Sequence, residues 1–354
     1  MPEPEFAKHV DKVRAHIATR QLWGRGPLAV ELNLPFELAA SPDVPYRGKF
    51  LLIHGLNDSA YVWRDMAQEL TARGFDVRSV LLAGHGSHPE NLLEISYEVW
   101  LDAAREHYAL WNVDDTPLYI GGFSLGGVLA TVLAIENPDT AGLLLISPAY
   151  KSKLNSLLRW SWLYNHYQQW VFGGLIIEDN PIKYNSIPIN SGTQYYRSTR
   201  YLANRMWGKR LNMPVMMVVT DKDSVVNVDH SRKVFHKRLV NPANRLLIYS
   251  NDPDWDLRDR EIVRPSHYPE RRILNQSHLS LLTSPNNPLF GEAGSVLVCN
   301  GNEYPIFMAC MRARGHWYGA QHTPSPDGVP VARTTYNPDF AYLMALFERV
   351  FNDR

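Results

Sequence analysis

The sequence predicts an α/β fold in which helices cover both faces of a mostly parallel central sheet. Short, continuously apolar runs of strand length alternate with longer segments of helical periodicity, and apolar strands of this kind are typical of sheets buried on both faces. A chain of 354 residues is long enough to bury such a core as one domain with insertions. The sequence contains no internal repeat.

The individual elements follow from periodicity and from the residues at their ends. Apolar residues at helical spacing predict a first helix from Phe6 to Ile17. Gly74 is a natural stop for a helix that begins at Val62. The predicted strands span residues 28–38, 49–53, 76–82, 117–121, 143–146, 215–219 and 245–249. The remaining predicted helices span residues 97–111, 127–136 and 340–351, and residues 294–299 are strand-like.

The regular alternation stops between residues 150 and 214, where two strands lie too far apart for one crossover helix. The segment 151–210 contains eleven aromatic residues and nine lysines or arginines, against two acidic residues, Glu178 and Asp179. We therefore predict a core formed by residues 1–150 and 211–354, and a cap formed by the insertion 151–210. Residues 284–354 of the core form a C-terminal extension. Some aromatic side chains of the cap are expected to line the entrance of a site.

Composition excludes several classes of function. The 36 basic residues balance the 36 acidic residues, so no overall charge favours nucleic acid as a partner. No apolar run approaches the roughly 18 residues that a membrane-spanning helix needs, and the acidic start lacks the pattern of a signal peptide. Two cysteines, Cys299 and Cys310, do not make a disulfide framework. These observations predict a reduced, cytoplasmic protein.

The most informative motif is the sequence Gly122-Phe123-Ser124-Leu125-Gly126. It follows a predicted strand and precedes a predicted helix, which is the context of a nucleophile elbow. Glycines two residues before and after the serine allow the sharp turn that such an elbow needs. The turn presents the serine hydroxyl at the edge of the sheet, where the start of the next helix offers unpaired N–H groups.

A serine hydroxyl needs a base that accepts its proton and an acid that orients the base. The acid is expected in the loop after the strand at 215–219, which contains both Asp221 and Asp223. We favour Asp223 because it lies further into the loop and precedes two valines that can anchor it. Asp221 is expected to make a hydrogen bond that caps the loop.

The base is expected after the last strand, and four histidines are candidates there: His267, His278, His316 and His322. We favour His278, which stands in a polar turn that runs into a helix-compatible apolar stretch. His267 lies in a loop rich in proline and arginine, so we expect it at the surface.

Two backbone N–H groups are predicted to hold a developing oxyanion. One belongs to Leu125, directly after the serine, and the other to Leu56, where Gly55 lets the backbone turn inward. His54 and His85 are expected to hold their turns through hydrogen bonds rather than to act as bases.

In combination, these motifs resemble the α/β-hydrolase superfamily, and within it the branch of monoacylglycerol lipases and lysophospholipases, also described as serine aminopeptidase-like. The motifs that carry the resemblance are His54-Gly55-Leu56, Gly84-His85-Gly86, the serine elbow, the Asp223 loop and the run Ser277–Leu282. The resemblance covers roughly residues 28–290. It implies a nucleophile, acid and base at Ser124, Asp223 and His278, with oxyanion donors at Leu56 and Leu125. Two features depart from the family pattern. Position 220 is a threonine where relatives often have glycine, and the tail is long.

We therefore expect a serine hydrolase that cleaves carboxylic esters through an acyl-enzyme, with monoacyl lipids or short- to medium-chain esters as substrates. No metal and no organic cofactor is implied. The same residues would serve an aminopeptidase or an acyltransferase, and a non-catalytic hydrolase-like binding protein is the alternative outside enzymes.

The predicted cap combines aromatic and basic residues, a pairing that suits an apolar chain beside an anionic or interfacial head group. We therefore expect transient contact with a membrane surface. Four cations of this segment fall near helical spacing, namely Arg197, Arg200, Arg205 and Lys209. They form either a solvated helix surface or a face that binds anionic substrates. No motif predicts the oligomeric state.

Overall fold

The computed structural model describes residues 4–20, 26–178, 180–299 and 304–352. The acidic start at residues 1–3 and Asp179 lie outside these ranges. The helices are α1 (Pro4–Thr19), α2 (Gly26–Asn33), α3 (Arg64–Thr71), α4 (Tyr97–Trp111), α5 (Leu125–Glu136), α6 (Asn155–Leu158), α7 (Ser161–Tyr164), α8 (Ile189–Arg205), α9 (Val228–Arg238), α10 (Tyr304–Arg312) and α11 (Phe340–Phe351). None of the helices in the described part of the chain combines the length and the apolar composition that crossing a membrane requires.

An eight-stranded sheet forms the centre of the fold, with the strand order β1-β3-β2-β4-β5-β6-β7-β8. Its strands are β1 (Phe36–Leu38), β2 (Gly48–Ile53), β3 (Phe75–Val80), β4 (Leu118–Phe123), β5 (Gly142–Ile146), β6 (Val215–Thr220), β7 (Arg245–Tyr249) and β8 (Glu261–Arg264). β1 pairs with β3 in the antiparallel direction, and the other pairings in this sheet are parallel. The predicted α/β fold class, with a mostly parallel sheet between helices, is therefore confirmed.

Both faces of the sheet are buried, which explains the continuously apolar strands. On one face, Leu51 and Ile53 of β2 pack in a cluster with residues of α4 and α5. On the other face, Phe50 and Leu52 pack with residues of α3 and α11. Successive side chains of β2 thus enter opposite cores, as the twofold periodicity of a strand requires.

The insertion, residues 151–210, is held to the body mainly by α8, which packs against α5 and α4. The Tyr195 hydroxyl donates a hydrogen bond to the Ala149 carbonyl at 2.8 Å. Further toward the N-terminus, the backbone N–H of Tyr184 donates to the Asn57 carbonyl at 2.9 Å. The insertion therefore touches the loop that follows β2.

The C-terminal extension packs as an integral part of the fold. Arg264 of β8 holds Asp339, directly before α11, through two hydrogen bonds of 2.8 Å. The extension also forms a separate parallel pair from β9 (Trp317–Gly319) and β10 (Val331–Arg333).

Three sequence-based expectations about secondary structure are wrong. Residues 28–38 form helix α2 and the short strand β1 instead of one strand, because Val30 and Leu34 face Ile17 at helical spacing. Residues 294–299 form no regular element, since the N–H groups of Ser295 and Val296 donate to the loop carbonyls of Pro288 and Leu289 instead of to a neighbouring strand. The apolar stretch after His278 is a series of turns instead of a helix.

The two cysteines are joined by a disulfide, Cys299–Cys310, with their Cα atoms 6.0 Å apart. The expectation of a fully reduced chain is therefore wrong for this pair. The cytoplasmic location stays a prediction, and disulfides are uncommon in that compartment.

We expect Phe347→Ala in α11 to lower the free energy of unfolding by about 3 to 5 kcal/mol. Phe347 is fully buried, and its ring lies 5.7 Å from that of Phe50 and 5.9 Å from that of Phe75. The matched control is Tyr167→Ala, at a side chain that is 92% exposed, which should change stability by less than about 0.5 kcal/mol. Urea unfolding measures both, and equal effects would contradict the integral packing of α11.

Candidate active site

Ser124 stands between the end of β4 and the start of α5, in a backbone conformation with φ 54° and ψ −115°. A residue with a Cβ rarely adopts a positive φ, so this turn is strained. The neighbouring glycines allow it: a Cβ at Gly122 would lie 2.6 Å from the Gly127 Cα, and a Cβ at Gly126 would collide with the end of β2. The elbow predicted from the sequence thus has a steric cause.

The structure brings Ser124, His278 and Asp223 into one hydrogen-bonded line. The Ser124 Oγ lies 3.0 Å from His278 Nε2. On the other side of the ring, His278 Nδ1 lies 2.7 Å from Asp223 Oδ2. All three residues are buried, and Ser124 is the most accessible of them at 8% exposure. We refer to this arrangement as the Ser124–His278–Asp223 line.

The environment of Asp223 favours its ionised form. Burial raises the pKa of this carboxyl, but the charge and hydrogen bond of His278 and the N–H groups of Val226 and Val225 outweigh it and hold the pKa below its usual range. Both valine N–H groups donate to Oδ1 at 2.8 Å. Both oxygens of the carboxylate therefore have hydrogen-bond partners, which fixes its orientation toward His278.

The other candidates from the sequence lie elsewhere. Asp221 Oδ2 accepts a hydrogen bond from the Ser250 hydroxyl at 2.8 Å, as expected for a residue that caps the loop. His267 is exposed, and His316 Nε2 lies 2.7 Å from the Cys310 carbonyl oxygen. His322 is exposed as well. Among these candidates, Asp223 and His278 are the two that contact each other.

The predicted oxyanion donors follow Gly55 and Ser124 in the chain, and a Cβ placed on Gly55 would lie 3.1 Å from the Ser124 Cβ. The N–H groups of Leu56 and Leu125 donate no hydrogen bond to the described residues. The loop of Leu56 is fixed by His54, whose Nε2 accepts from the Leu82 N–H at 2.9 Å. Burial lowers the pKa of His54 well below its usual value, so its ring is neutral and holds the turn. The His85 ring is also neutral and holds its own turn, because burial lowers the pKa of His85 to about 4.

The loop that carries His278 is supported by the C-terminal extension, a role that sequence reasoning missed. The side chain of Asn337 is fully buried. It accepts a hydrogen bond from Gln276 Nε2 at 2.9 Å and donates to the Leu281 carbonyl at 3.2 Å and to the Tyr249 hydroxyl at 3.0 Å. Since Gln276 and Leu281 flank His278, Asn337 fixes the loop from both sides.

Two cations with little exposure were also missed, Lys183 of the insertion, whose side chain is 12% exposed, and Arg333 of β10, which is 6% exposed. Lys183 forms an ion pair with Asp58, in the loop that contains Leu56. The four cations that fall near helical spacing in the sequence are exposed, namely Arg197, Arg200, Arg205 and Lys209. The Arg205 guanidinium lies 3.6 Å from the Glu136 carboxylate. Burial at positions 183 and 333 has no signature in a single sequence, because isolated Lys and Arg are usually exposed.

One group in the described chain has side chains at metal-binding distances, namely Cys299, Cys310 and His316, whose ligand atoms lie within 4.8 Å of one another. The two sulfur atoms are bonded to each other. They are therefore not available as thiolates, the form in which cysteine binds zinc.

Comparison with known proteins finds sequence similarity over part of the chain. Residues 45–180 match the model of the family described as serine aminopeptidase, S33. Over 99 residues, the chain is 29% identical to a thermostable monoacylglycerol lipase from Bacillus sp. (strain H-257). That match spans 28% of this chain and 40% of the lipase.

Solved structures support the fold. One structure from a study of the metagenome-derived lipolytic enzymes LipS and LipT gives a TM-score of 0.53 at 18% identity, covering 61% of this chain and 87% of its own. A soluble variant of monoglyceride lipase from Saccharomyces cerevisiae gives a TM-score of 0.50 at 13% identity, covering 65% of this chain and 85% of its own. With the parallel sheet and the elbow between β4 and α5, these matches show that the chain has the α/β-hydrolase fold.

Proposed function

We propose that this protein hydrolyses carboxylic esters of monoacyl lipids or of short- to medium-chain acids. The observation that carries the proposal is the Ser124–His278–Asp223 line, with its distances of 3.0 Å and 2.7 Å. The similarity to a monoacylglycerol lipase supports the same substrate class. An unpaired serine would be a weak nucleophile, whereas a serine in contact with an oriented histidine is an activated one.

In the proposed reaction, Ser124 attacks the ester carbonyl carbon while His278 Nε2 accepts the hydroxyl proton. The carbonyl oxygen becomes an oxyanion, which the N–H groups of Leu56 and Leu125 stabilise. The alcohol leaves with the proton from His278, and an acyl-enzyme forms on Ser124. Water then attacks the acyl carbon, again through His278, and releases the acid.

Asp223 serves this reaction by orienting His278 and by stabilising its positive charge. The carboxylate contacts Nδ1, so Nε2 is left to face the serine. Peptidase or acyltransferase action would use the same groups. Labelling with a fluorophosphonate probe separates all of these enzymes from a non-catalytic binding protein.

We infer further that the insertion covers the site and contacts lipid surfaces. Thirteen large apolar side chains of this segment are exposed, more than in the rest of the described chain. They are Leu154, Leu157, Trp160, Trp162, Leu163, Tyr164, Tyr167, Val171, Phe172, Leu175, Ile176, Ile177 and Trp207. An exposed apolar surface of this extent marks an interaction site, and the nine basic residues of the segment favour an anionic surface.

We expect Ser124→Ala to reduce kcat for a p-nitrophenyl ester by roughly 10⁶-fold, because the nucleophile is lost. Labelling by a fluorophosphonate probe should disappear as well. Thermal unfolding of the variant should match that of the parent protein, since the small hydroxyl is replaced without steric change. Substantial remaining turnover would show that another group is the nucleophile.

The two aspartates provide a matched pair. Asp223→Asn should lower kcat by about 10⁴-fold, because an amide in this place favours the wrong tautomer of His278. Asp221→Asn, two residues away, should leave kcat within a few-fold, since Asp221 contacts Ser250. Steady-state kinetics with one neutral ester decides between them, and a larger effect at Asp221 would assign the acid to that residue.

Replacing Trp160, Trp162 and Phe172 by serine should weaken binding to vesicles that contain an anionic phospholipid. We expect a loss of at least about tenfold, because each aromatic side chain contributes roughly 1.5 to 3 kcal/mol when it leaves water. The control replaces the exposed apolar residues Val113, Leu257 and Ile306, all outside the insertion. Vesicle co-sedimentation measures the binding of both variants. Equal binding would show that the insertion is not the surface that contacts the membrane.

A further inference from the structure

The oxyanion donor Leu56 lies in a tight turn of four residues shortly after β2. The Asp58 N–H donates to the Gly55 carbonyl at 3.3 Å, which closes the turn. Asn57 has a positive φ of 64°, as the third residue of a type II turn requires, and asparagine tolerates this conformation better than most residues. The direction of the Leu56 N–H therefore depends on the geometry of this one turn.

The core holds the first half of the turn through His54. The Nε2 atom of this ring accepts a hydrogen bond from the Leu82 N–H at 2.9 Å. The neutral ring therefore carries its proton on Nδ1, which lies 2.7 Å from the Gly55 carbonyl oxygen and donates to it. The start of the turn is thus tied to the segment that follows β3.

The insertion holds the second half of the turn. Lys183 forms an ion pair with Asp58, and the side chains of the pair are 12% and 6% exposed. The next residue, Tyr184, donates its backbone N–H to the Asn57 carbonyl at 2.9 Å. Burial lowers the pKa of Lys183 to about 7, whereas the carboxylate in contact with it favours the charged form. A pair with so little exposure is screened only weakly by solvent.

The same ion pair adjoins the nucleophile elbow. The Lys183 ammonium lies 5.8 Å from the centroid of the Phe123 ring, directly before Ser124 in the chain. On the side of the carboxylate, a Cβ placed on Gly55 would lie 2.7 Å from Asp58 Oδ2 and 3.1 Å from the Ser124 Cβ. A displacement of the pair would therefore move the turn relative to the serine.

The stretch of the insertion on both sides of this lysine is fixed to the core. The Pro181 carbonyl accepts a hydrogen bond from Asn33 Nδ2 of α2 at 2.7 Å. The Tyr184 hydroxyl donates to the Gly84 carbonyl at 3.1 Å and accepts from the Ser87 N–H at 2.8 Å. The lysine thus reaches the turn from a backbone that is itself held in place.

We propose that Lys183 is a positioning residue, which holds the turn through Asp58 so that the Leu56 N–H faces the developing oxyanion. The proposal rests on the esterase function and adds the insertion to the parts of the chain that form the oxyanion site. The core holds the turn through His54, and the insertion holds it through Lys183. An oxyanion donor must lie within about 2.7 to 3.1 Å of the charged oxygen, so a small displacement of the turn lowers the rate.

Lys183→Met and Asp58→Asn, made singly and in combination, test this link with a neutral p-nitrophenyl ester. We expect kcat to fall by about 10- to 100-fold, because the donor is displaced. KM should change little, since the donor acts on the transition state. Both changes remove the same ion pair, so the loss in the double variant should not exceed the larger single loss. The double variant also leaves no unpaired charge, which protects its folding.

A trifluoromethyl ketone separates an effect on the oxyanion from an effect on binding. The Ser124 hydroxyl adds to its carbonyl carbon, the proton passes to His278, and the ketone oxygen becomes an oxyanion in the site. Trifluoromethyl hexyl ketone should therefore bind about 10- to 100-fold more weakly to the double variant than to the parent protein. Methyl hexyl ketone, which forms no stable adduct, should bind equally to both.

Lys49→Met is the matched control. Lys49 lies near the other end of β2, its side chain is 11% exposed, and it pairs with Asp114 at 2.8 Å. This variant should keep kcat within a few-fold and should bind both ketones like the parent protein. Hydrogen exchange of the peptide that contains residues 55–58 should be faster in the double variant and unchanged in Lys49→Met.

A folded double variant that keeps the kcat of the parent protein, or its exchange at residues 55–58, would overturn the positioning role. Equal weakening of both ketones would do the same, because it would indicate general damage to the site. Thermal unfolding verifies that each variant is folded. The esterase function fails separately, when the parent protein neither turns over an ester nor reacts with a fluorophosphonate probe. Hydrogen exchange does not depend on hydrolysis, so it decides on the turn in that case as well.

Discussion

The parallel register of four neighbouring strands determines where the groups of the site can meet. Ile53 of β2 pairs with Gly122 of β4, Phe123 of β4 with Ile146 of β5, and Ile146 with Val218 of β6. These strands end side by side, so the loops that follow β2, β4 and β6 leave the sheet at one edge. Those loops carry Leu56, Ser124 and Asp223. A shift of one residue in this register would move each loop and would turn each strand's side chains toward the opposite core.

His278 is positioned by a different principle. It lies fourteen residues beyond the end of β8, so the sheet alone does not determine its place. Its loop is held by groups of the C-terminal extension: the Asn337 side chain bonds to Gln276 and Leu281, and the Thr334 backbone carbonyl accepts from the Ser277 hydroxyl at 2.6 Å. These bonds are buried, and a buried network that is fully paired resists rearrangement. The extension is thus part of the support of the histidine.

The features that are local in the sequence could be predicted, and the long-range ones could not. The elbow at Ser124 and the helix Phe340–Phe351 were predicted because a strand, a glycine turn and helical periodicity are each encoded within a few residues. Residues 28–38 were misassigned because a short apolar run fits a helix and a strand equally well. The role of Asn337 depends on contacts with residues 56 to 88 positions away, and a single sequence gives no signal for such contacts. The disulfide was missed for the same reason, since pairing depends on how the chain brings two cysteines together.

The packing of α11 links the two ends of the chain. Arg47 Nη1 lies 2.9 Å from Glu348 Oε2, and the ring of Phe50 packs against that of Phe347. Contacts between residues about three hundred positions apart close a very long loop, which slows folding relative to local pairing. During synthesis, Ser124 and Asp223 leave the ribosome well before Asn337 and α11. A nascent chain of this protein therefore contains the elbow long before it can support the histidine loop, and the site is completed among the last steps of folding.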